Sequence, residues 1–164
     1  MFSQTELSNF SSDLSSLTDG KYMFYGSELK SFDGDLSSLT DGRYMFMYCQ
    51  KLASFCGDLS SLTDGYMMFH NCKLDSESVE CVAETIGTVS GDKQIYIDIA
   101  NAEPNEIENA AFETIQAKGW DVYVNGGMYE YIASNASLIP NDDETTVATK
   151  PYWAKPIEVT EEKA

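Results

Sequence analysis

Positive charge and histidine are scarce in this chain. Ten Lys and Arg stand against 27 Asp and Glu, for a formal net charge of −17, and there is a single His. Such a field repels phosphate backbones and anionic lipid surfaces, so neither nucleic acid nor membrane is an expected partner, whereas a basic protein surface or divalent cations are attracted. The imbalance is uneven: residues 1–75 carry 5 basic and 10 acidic side chains, and residues 76–164 carry 5 and 17. Long apolar runs are missing too. Nothing approaches the roughly 20 residues of a membrane span, and the start lacks the basic region and apolar run of a secretory signal. With no signal peptide, a virion or intracellular setting is expected.

Patterns that carry chemistry are equally thin. His70 lies two residues from Cys72, but paired C-x-x-C or H-x-x-x-H spacings, which structural zinc normally uses, do not occur. No serine sits in a G-x-S-x-G elbow, no G-x-x-x-x-G-K stretch exists, and Gly87, Gly126 and Gly127 read as turns. Neither enzymatic activity nor a cofactor is expected, and no catalytic or metal-ligating residue is assigned.

What is abundant is repetition. The octapeptide DLSSLTDG occurs three times unchanged, at 13–20, 35–42 and 58–65, at spacings of 22 and 23 residues. One small unit stacked on itself is the physical meaning of such a period, because a single unit cannot bury an apolar face alone. The register extends outward to Leu7, Leu29, Leu52 and Leu74, to Phe10, Phe32 and Phe55, and to the Met-Phe pairs 23–24, 45–46 and 68–69. Stacking at about 5 Å turns each column into a ladder, and three and a half units make a stack about 17 Å tall. Short strands are predicted within 29–36 and 52–59. Turns are predicted at the Asp-Gly pairs beginning at Asp19, Asp41 and Asp64, where Gly takes φ > 0 and Asp bonds its own backbone.

The pattern L-x-S-F-x-x-D-L-S-S-L-T-D-G-x-Y-M-F-x-x-C-x-x-L resembles the bacterial surface-antigen (BspA-like) class of leucine-rich repeats over about residues 2–75. Met-Phe stands where that class has Ala-Phe, and Asn71-Cys72 matches its Asn-Cys. The repeats contain no Pro, and Ser27 replaces Cys in the first full unit. The resemblance implies a repeat class found in adhesins, other surface proteins and phage-encoded proteins.

Beyond residue 75 the period ends. Asp75 or Ser76 caps a predicted helix with Val79, Val82, Ala83 and Ile86 on one face. A turn at Gly91 leads to a strand with Ile95, Ile97 and Ile99 alternating with Tyr96 and Asp98. A helix from Pro104 through Ile107, Ala110, Ala111, Phe112 and Ile115 stops at Gly119, before a strand at Trp120, Val122 and Val124. These βα units are expected to share one parallel sheet with the repeats. The fold class is therefore read as α/β: a short leucine-rich-repeat solenoid with a parallel sheet (residues 1–75), an α/β C-terminal cap (76–127), and a terminal segment with an extended tail (128–164). Pro151 and Pro156 keep the tail extended. Its Trp153 and Ile157 let it lie on its own body or dock on a neighbour.

Four cysteines, Cys49, Cys56, Cys72 and Cys81, allow three pairings. Cys49 and Cys72 fall one unit apart, where a bond is conceivable, but buried free thiols are expected for all four. The columns Asp13, Asp35, Asp58 and Asp19, Asp41, Asp64 bring like charges together at a cost near 1 kcal/mol per neighbour in water. Backbone N–H groups accepted by each carboxylate are the expected remedy, with a calcium ladder as the other. The tyrosines near the Met-Phe columns read as the packed or half-exposed side of the stack.

The function expected is a non-enzymatic protein-binding or structural module. The setting is a larger assembly such as a phage virion, as a decoration, fibre or tail-associated protein. The alternatives are a bacterial cell-surface adhesion or host-interaction fragment and a calcium-binding repeat protein. Partner contact is assigned to the outward strand residues Ser31, Asp33, Ser54 and Cys56 and to Tyr152, Trp153 and Ile157 of the tail.

Overall fold

The computed structural model describes residues 6–10 and 12–130. Tyr152, Trp153 and Ile157 lie outside the described residues. The architecture is mixed α/β, with a three-stranded parallel sheet, a four-stranded mixed sheet and, among the described residues, two α-helices.

The repeats lie over one another in register. Strands β1 (Asn9–Phe10), β2 (Ser31–Phe32) and β3 (Ser54–Phe55) pair in parallel, aligning Phe10 with Phe32 and Phe32 with Phe55. These strands are much shorter than expected, and a second backbone column explains why so little strand suffices. The amides of Gly20, Phe24 and Gly26 donate to the carbonyls of Asp41, Met45 and Met47 in the next unit, while those of Met23, Tyr25 and Ser27 turn back to Gly20, Tyr22 and Phe24. The same alternation recurs one unit on, where Gly42, Phe46 and Tyr48 reach Asp64, Met68 and His70. Alternate peptides thus serve the unit itself and its neighbour, so these amides find acceptors without a long strand.

Side chains follow the backbone register. Phe10, Phe32 and Phe55 stack with centroids 5.6 Å apart at each step, and Phe24, Phe46 and Phe69 stack at 5.3 and 5.5 Å. The two columns meet edge to face, Phe32 on Phe46 at 4.9 Å and Phe55 on Phe69 at 4.8 Å. Leu29, Leu52 and Leu74, with Leu36, Leu59, Met45 and Met68, complete the core and are fully buried.

The Asp-Gly pairs are not turns of the expected kind. The left-handed residues are instead Tyr22, Tyr44 and Met67, followed four positions later by Gly26, Tyr48 and Asn71. Glycine at position 42 answers to packing: a Cβ there would come within 3.0 Å of Met68 Sδ and 3.1 Å of Leu62 Cδ1. Gly87 is likewise a place of close approach, since a Cβ would stand 2.3 Å from Ser60 O.

Strand β4 (Gly65–Leu74) belongs to the last repeat and opens the second sheet, of order β4-β5-β6-β7. It pairs with β5 (Lys93–Ile99) only at Gly65, Phe69 and Leu74, with register shifts between, because Met67 and Asn71 keep the coiled path of the repeats against a flat partner. The cap therefore shares a sheet with β4 and not with β1–β3. That first sheet ends at helix α1 (Ser76–Thr85), where the Ser78 hydroxyl accepts the Phe55 amide at 2.8 Å and lies 3.0 Å from the Ala53 carbonyl, in place of a fourth strand. Asp75 caps α1 and buries Val79, Val82 and Ala83 as expected. Helix α2 (Glu106–Ala117) begins with a capping box between Asn105 and Glu108 and buries Ala111, Phe112 and Ile115, but Ile107 is left half exposed. Lys118 reaches from the end of α2 to the carbonyls of Ala83, Glu84 and Ile86, neutralising the C-terminal end of α1. Strand β6 (Trp120–Val124) pairs in parallel with β5, and β7 (Gly127–Met128) folds back antiparallel. Tyr129, assigned above to the terminal segment, is buried against Phe112.

The cysteine expectation holds for one pair only. Cys49 and Cys72 are buried free thiols, donating to the carbonyls of Phe24 and Phe46. Cys56 and Cys81 form a disulfide, because α1 lies directly over β3 and brings their Cα atoms to 5.6 Å.

Phe46→Ala removes a ring that touches Phe24, Phe32, Phe55 and Phe69 and is expected to cost about 3–5 kcal/mol in a denaturant titration. Cys56→Ser, which opens a 25-residue separation, is expected to lose about 3 kcal/mol by the chain-entropy argument, as is the reduced wild type.

Candidate functional site

In-register stacking carries the outer residues into columns as it does the inner ones. Tyr22 stacks on Tyr44 at 4.7 Å, and Tyr44 meets Tyr66 edge-on at 5.5 Å. The column then crosses into the cap, through Tyr66 on Tyr96 at 5.4 Å and Tyr96 stacked on Tyr123 at 4.4 Å. A second line runs beside it, Tyr25 to Tyr48 at 5.6 Å and Tyr48 to His70 at 6.2 Å, and His70 closes on Tyr96 at 6.0 Å. Tyr22 and Tyr48 are 41% and 40% exposed. Burial pushes the phenols of Tyr44 and Tyr96 above their ordinary value, so these two stay protonated and uncharged. In the two stacked pairs, Tyr22 on Tyr44 and Tyr96 on Tyr123, the facing ring surfaces are covered. Such a column suits flat contact with a protein better than stacking under a sugar ring, and tyrosine gives amphipathic contact area at low entropic cost.

A charge ladder flanks the tyrosines. Lys21 Nζ lies 3.2 Å from Asp19 and 2.9 Å from Asp41, and Arg43 joins Asp41 at 2.8 Å to Asp64 at 3.5 Å. Each Asp also accepts an amide two residues on: Lys21, Arg43 and Tyr66 for Asp19, Asp41 and Asp64, and Ser15, Ser37 and Ser60 for Asp13, Asp35 and Asp58. The expected backbone remedy is therefore present in both columns, and interleaved cations supplement it in one. Among the described residues, no group of three or more His, Cys, Asp or Glu side chains converges as metal ligands. Burial acts to raise the Asp41 carboxyl, yet hydrogen bonds from Arg43 and Lys21 outweigh it and bring its pKa from 3.8 to about 2.

One part of this face is not repeated. Asp98, expected to face outward, is buried on β5, where Oδ2 accepts the Asn71 amide at 2.7 Å and lies 3.0 Å from His70 Nδ1. The His70 contact is close but misaligned for a hydrogen bond. Gln50, Asn71, Lys73 and Asn125 border an open polar groove of about 490 Å³ over this pair. Burial raises the Cys49 thiol and raises that of Cys72 further, which leaves neither as a nucleophile.

The strand face assigned from sequence is largely exposed. Asp33 and Ser54 are exposed, but Ser31 is half-buried and donates to Asn9 Oδ1 at 3.0 Å. Cys56 is exposed and bonded to Cys81, so it presents a disulfide and not a free thiol on this face. Sequence reasoning found Tyr22, Tyr25, Tyr44 and Tyr48 but not their continuation. Tyr66 sits one place out of register with Tyr44, and Tyr96 and Tyr123 lie outside the repeats.

Comparison of the chain with protein-family models, with curated proteins and with solved structures finds no match. Among the described residues, no helix is long and apolar enough to cross a membrane.

The low Asp41 pKa has a definite sign. A carboxyl held below its unfolded value stabilises the fold above pH 3.8, and that contribution is lost as pH falls toward 2. The gap in unfolding midpoint between wild type and Asp41→Asn is therefore expected to be full at pH 5 and above and to close between about pH 4 and 2.

Proposed function

We propose that the chain is a non-enzymatic protein-binding or structural module, built as a short leucine-rich-repeat solenoid of the BspA-like kind and working as a subunit of a larger assembly such as a phage virion. The observation that carries this reading is the tyrosine column, which runs unbroken from the first full repeat through β6, with Tyr22 and the adjoining Tyr48 exposed. Rigid phenols with a flanking charge ladder are what a protein interface uses for anchoring and register. The net charge of −17 selects a basic partner surface and makes association faster at low salt. Thiols raised by burial and the missing nucleophile patterns support a role without catalysis.

The Cys56–Cys81 disulfide favours a second reading, a fragment of a bacterial cell-surface adhesion or host-interaction protein. Disulfides persist at cell and virion surfaces and are rare in the cytosol. This weighs against the intracellular setting and leaves the virion and the cell surface as the two candidates.

A photo-cross-linker placed at Tyr22 or Tyr48 in the native particle or host is expected to yield an adduct with another protein, and one at exposed Glu77 on α1 none. Equal yields from both faces, or none from either, overturn the reading. Against the partner so captured, Tyr22→Ser and Tyr48→Ser are each expected to weaken binding about tenfold or more while leaving the unfolding midpoint nearly unchanged.

A further inference from the structure

Helices α1 and α2 pack side by side and leave an open groove of about 390 Å³ between them. Its floor is apolar, with Ala83 from α1 and Ile107 and Ala110 from α2, and its rim is acidic, with Glu80, Glu84 and Glu106. Among the described residues no basic side chain lines it, the nearest cation being Lys118 on the carbonyls of Ala83 and Glu84. Ile107 is 50% exposed, the most exposed large apolar side chain among the described residues, because it falls off the buried face that carries Ala111, Phe112 and Ile115. An apolar floor under three carboxylates selects an apolar segment flanked by cations.

The chain carries such a segment. Residues 150–157 read Lys-Pro-Tyr-Trp-Ala-Lys-Pro-Ile, with Lys150 and Lys155 bracketing Tyr152 and Trp153 and no acidic residue between them. Within the strongly acidic stretch from residue 76 onward, this window has a net positive charge. Pro151 and Pro156 restrict its unfolded conformations, which lowers the entropy lost on binding an extended peptide.

Reach is sufficient. The described chain ends at Glu130, beside α2, where Gln116 Nε2 donates to the Tyr129 carbonyl at 2.9 Å. Twenty residue steps separate Glu130 from Lys150; at about 3.3 Å per residue a chain of that length can reach at most about 66 Å. That exceeds the roughly 18 Å length of α2. Tethering at this range sets a millimolar effective concentration, so a weak contact suffices.

We propose that the α1–α2 groove is the docking site of this chain's own segment 150–157, with Trp153 over Ile107 and Ala110 and the two lysines on the glutamate rim. The proposal is independent of the tyrosine face, which uses other elements.

Acrylamide quenching of the full-length protein tests it. Trp120 is 2% exposed and hydrogen-bonded to Gly87 O, so quencher-accessible emission reports Trp153. Trp153 is expected to be quenched several-fold less than a free indole, at every protein concentration. Protection is expected to vanish in Ile107→Asp, in Lys150→Glu with Lys155→Glu, and on raising salt from about 0.05 to about 1 M. The lysine variant lies outside the described body and keeps the test valid if Ile107→Asp fails to fold. Quenching equal to that of free indole overturns the proposal, as does protection that survives these changes. Protection that disappears on dilution assigns the groove to a second copy and overturns docking within one chain.

Discussion

Edge-to-face contact between two parallel columns of stacked phenylalanines is the interaction on which the rest of this structure depends. Phe46 touches both rings above and below it in its own column and two in the other. Rings stacked 5.3 to 5.6 Å apart impose the rise of each unit on its neighbours. Once that rise is set, the leucine and methionine ladders, the aspartate columns and the outer tyrosines fall into line without further instruction. Glycine at position 42 makes sense only within the same frame, since Met68 of the following unit occupies the space a side chain would need.

Stacking that repeats must also stop, and each backbone column stops by a different device. At β3 the next layer is a helix: the Ser78 hydroxyl accepts the Phe55 amide, and the Ala53 carbonyl accepts the Asp75 amide beside the same hydroxyl. At β4 the stack continues, but the strand is a hybrid, coiled toward the repeats through Met67 and Asn71 and paired intermittently with flat β5 on the other side. The disulfide sits at the first of these junctions, tying the helix to the edge it covers.

Register has a cost on the outside, where identical residues bring identical charges together. Backbone amides relieve it at every aspartate in the two columns, and Lys21 and Arg43, staggered between layers, join three carboxylates of one column into a chain of ion pairs. Exposed pairs of this sort contribute little stability, so their larger consequence is to hold the tyrosine column beside a fixed pattern of charge. The face proposed for binding is thus a by-product of core periodicity in its spacing, while its unrepeated part, His70 over buried Asp98, depends on the junction with the cap.

Much of this is legible in the sequence, and the reasons for the failures are physical. Local signals sufficed where local energetics decide, at the Asp75 cap, the apolar face of α1 and the stop at Gly119, while the superposition of Phe10, Phe32 and Phe55 follows from the repeat period; short patterns alone do not supply it. They failed where distant chain supplies the partner. Asp-Gly resembles a turn until Met45 and Met68 are seen filling the space beside the glycines, and Asp98 resembles an exposed strand residue until β4 covers it. Cys56 and Cys81 share no repeat position, and only the fall of α1 onto β3 brings them together. The sequence by itself determined the period, the identity of the core ladders and the sign of the surface charge, because a repeated unit must present the same side chain at the same place in every layer. Only the tertiary structure decided that the tyrosines join across repeats and cap and that a helix ends one sheet while a strand extends the other, because those contacts lie between segments whose spacing follows no period.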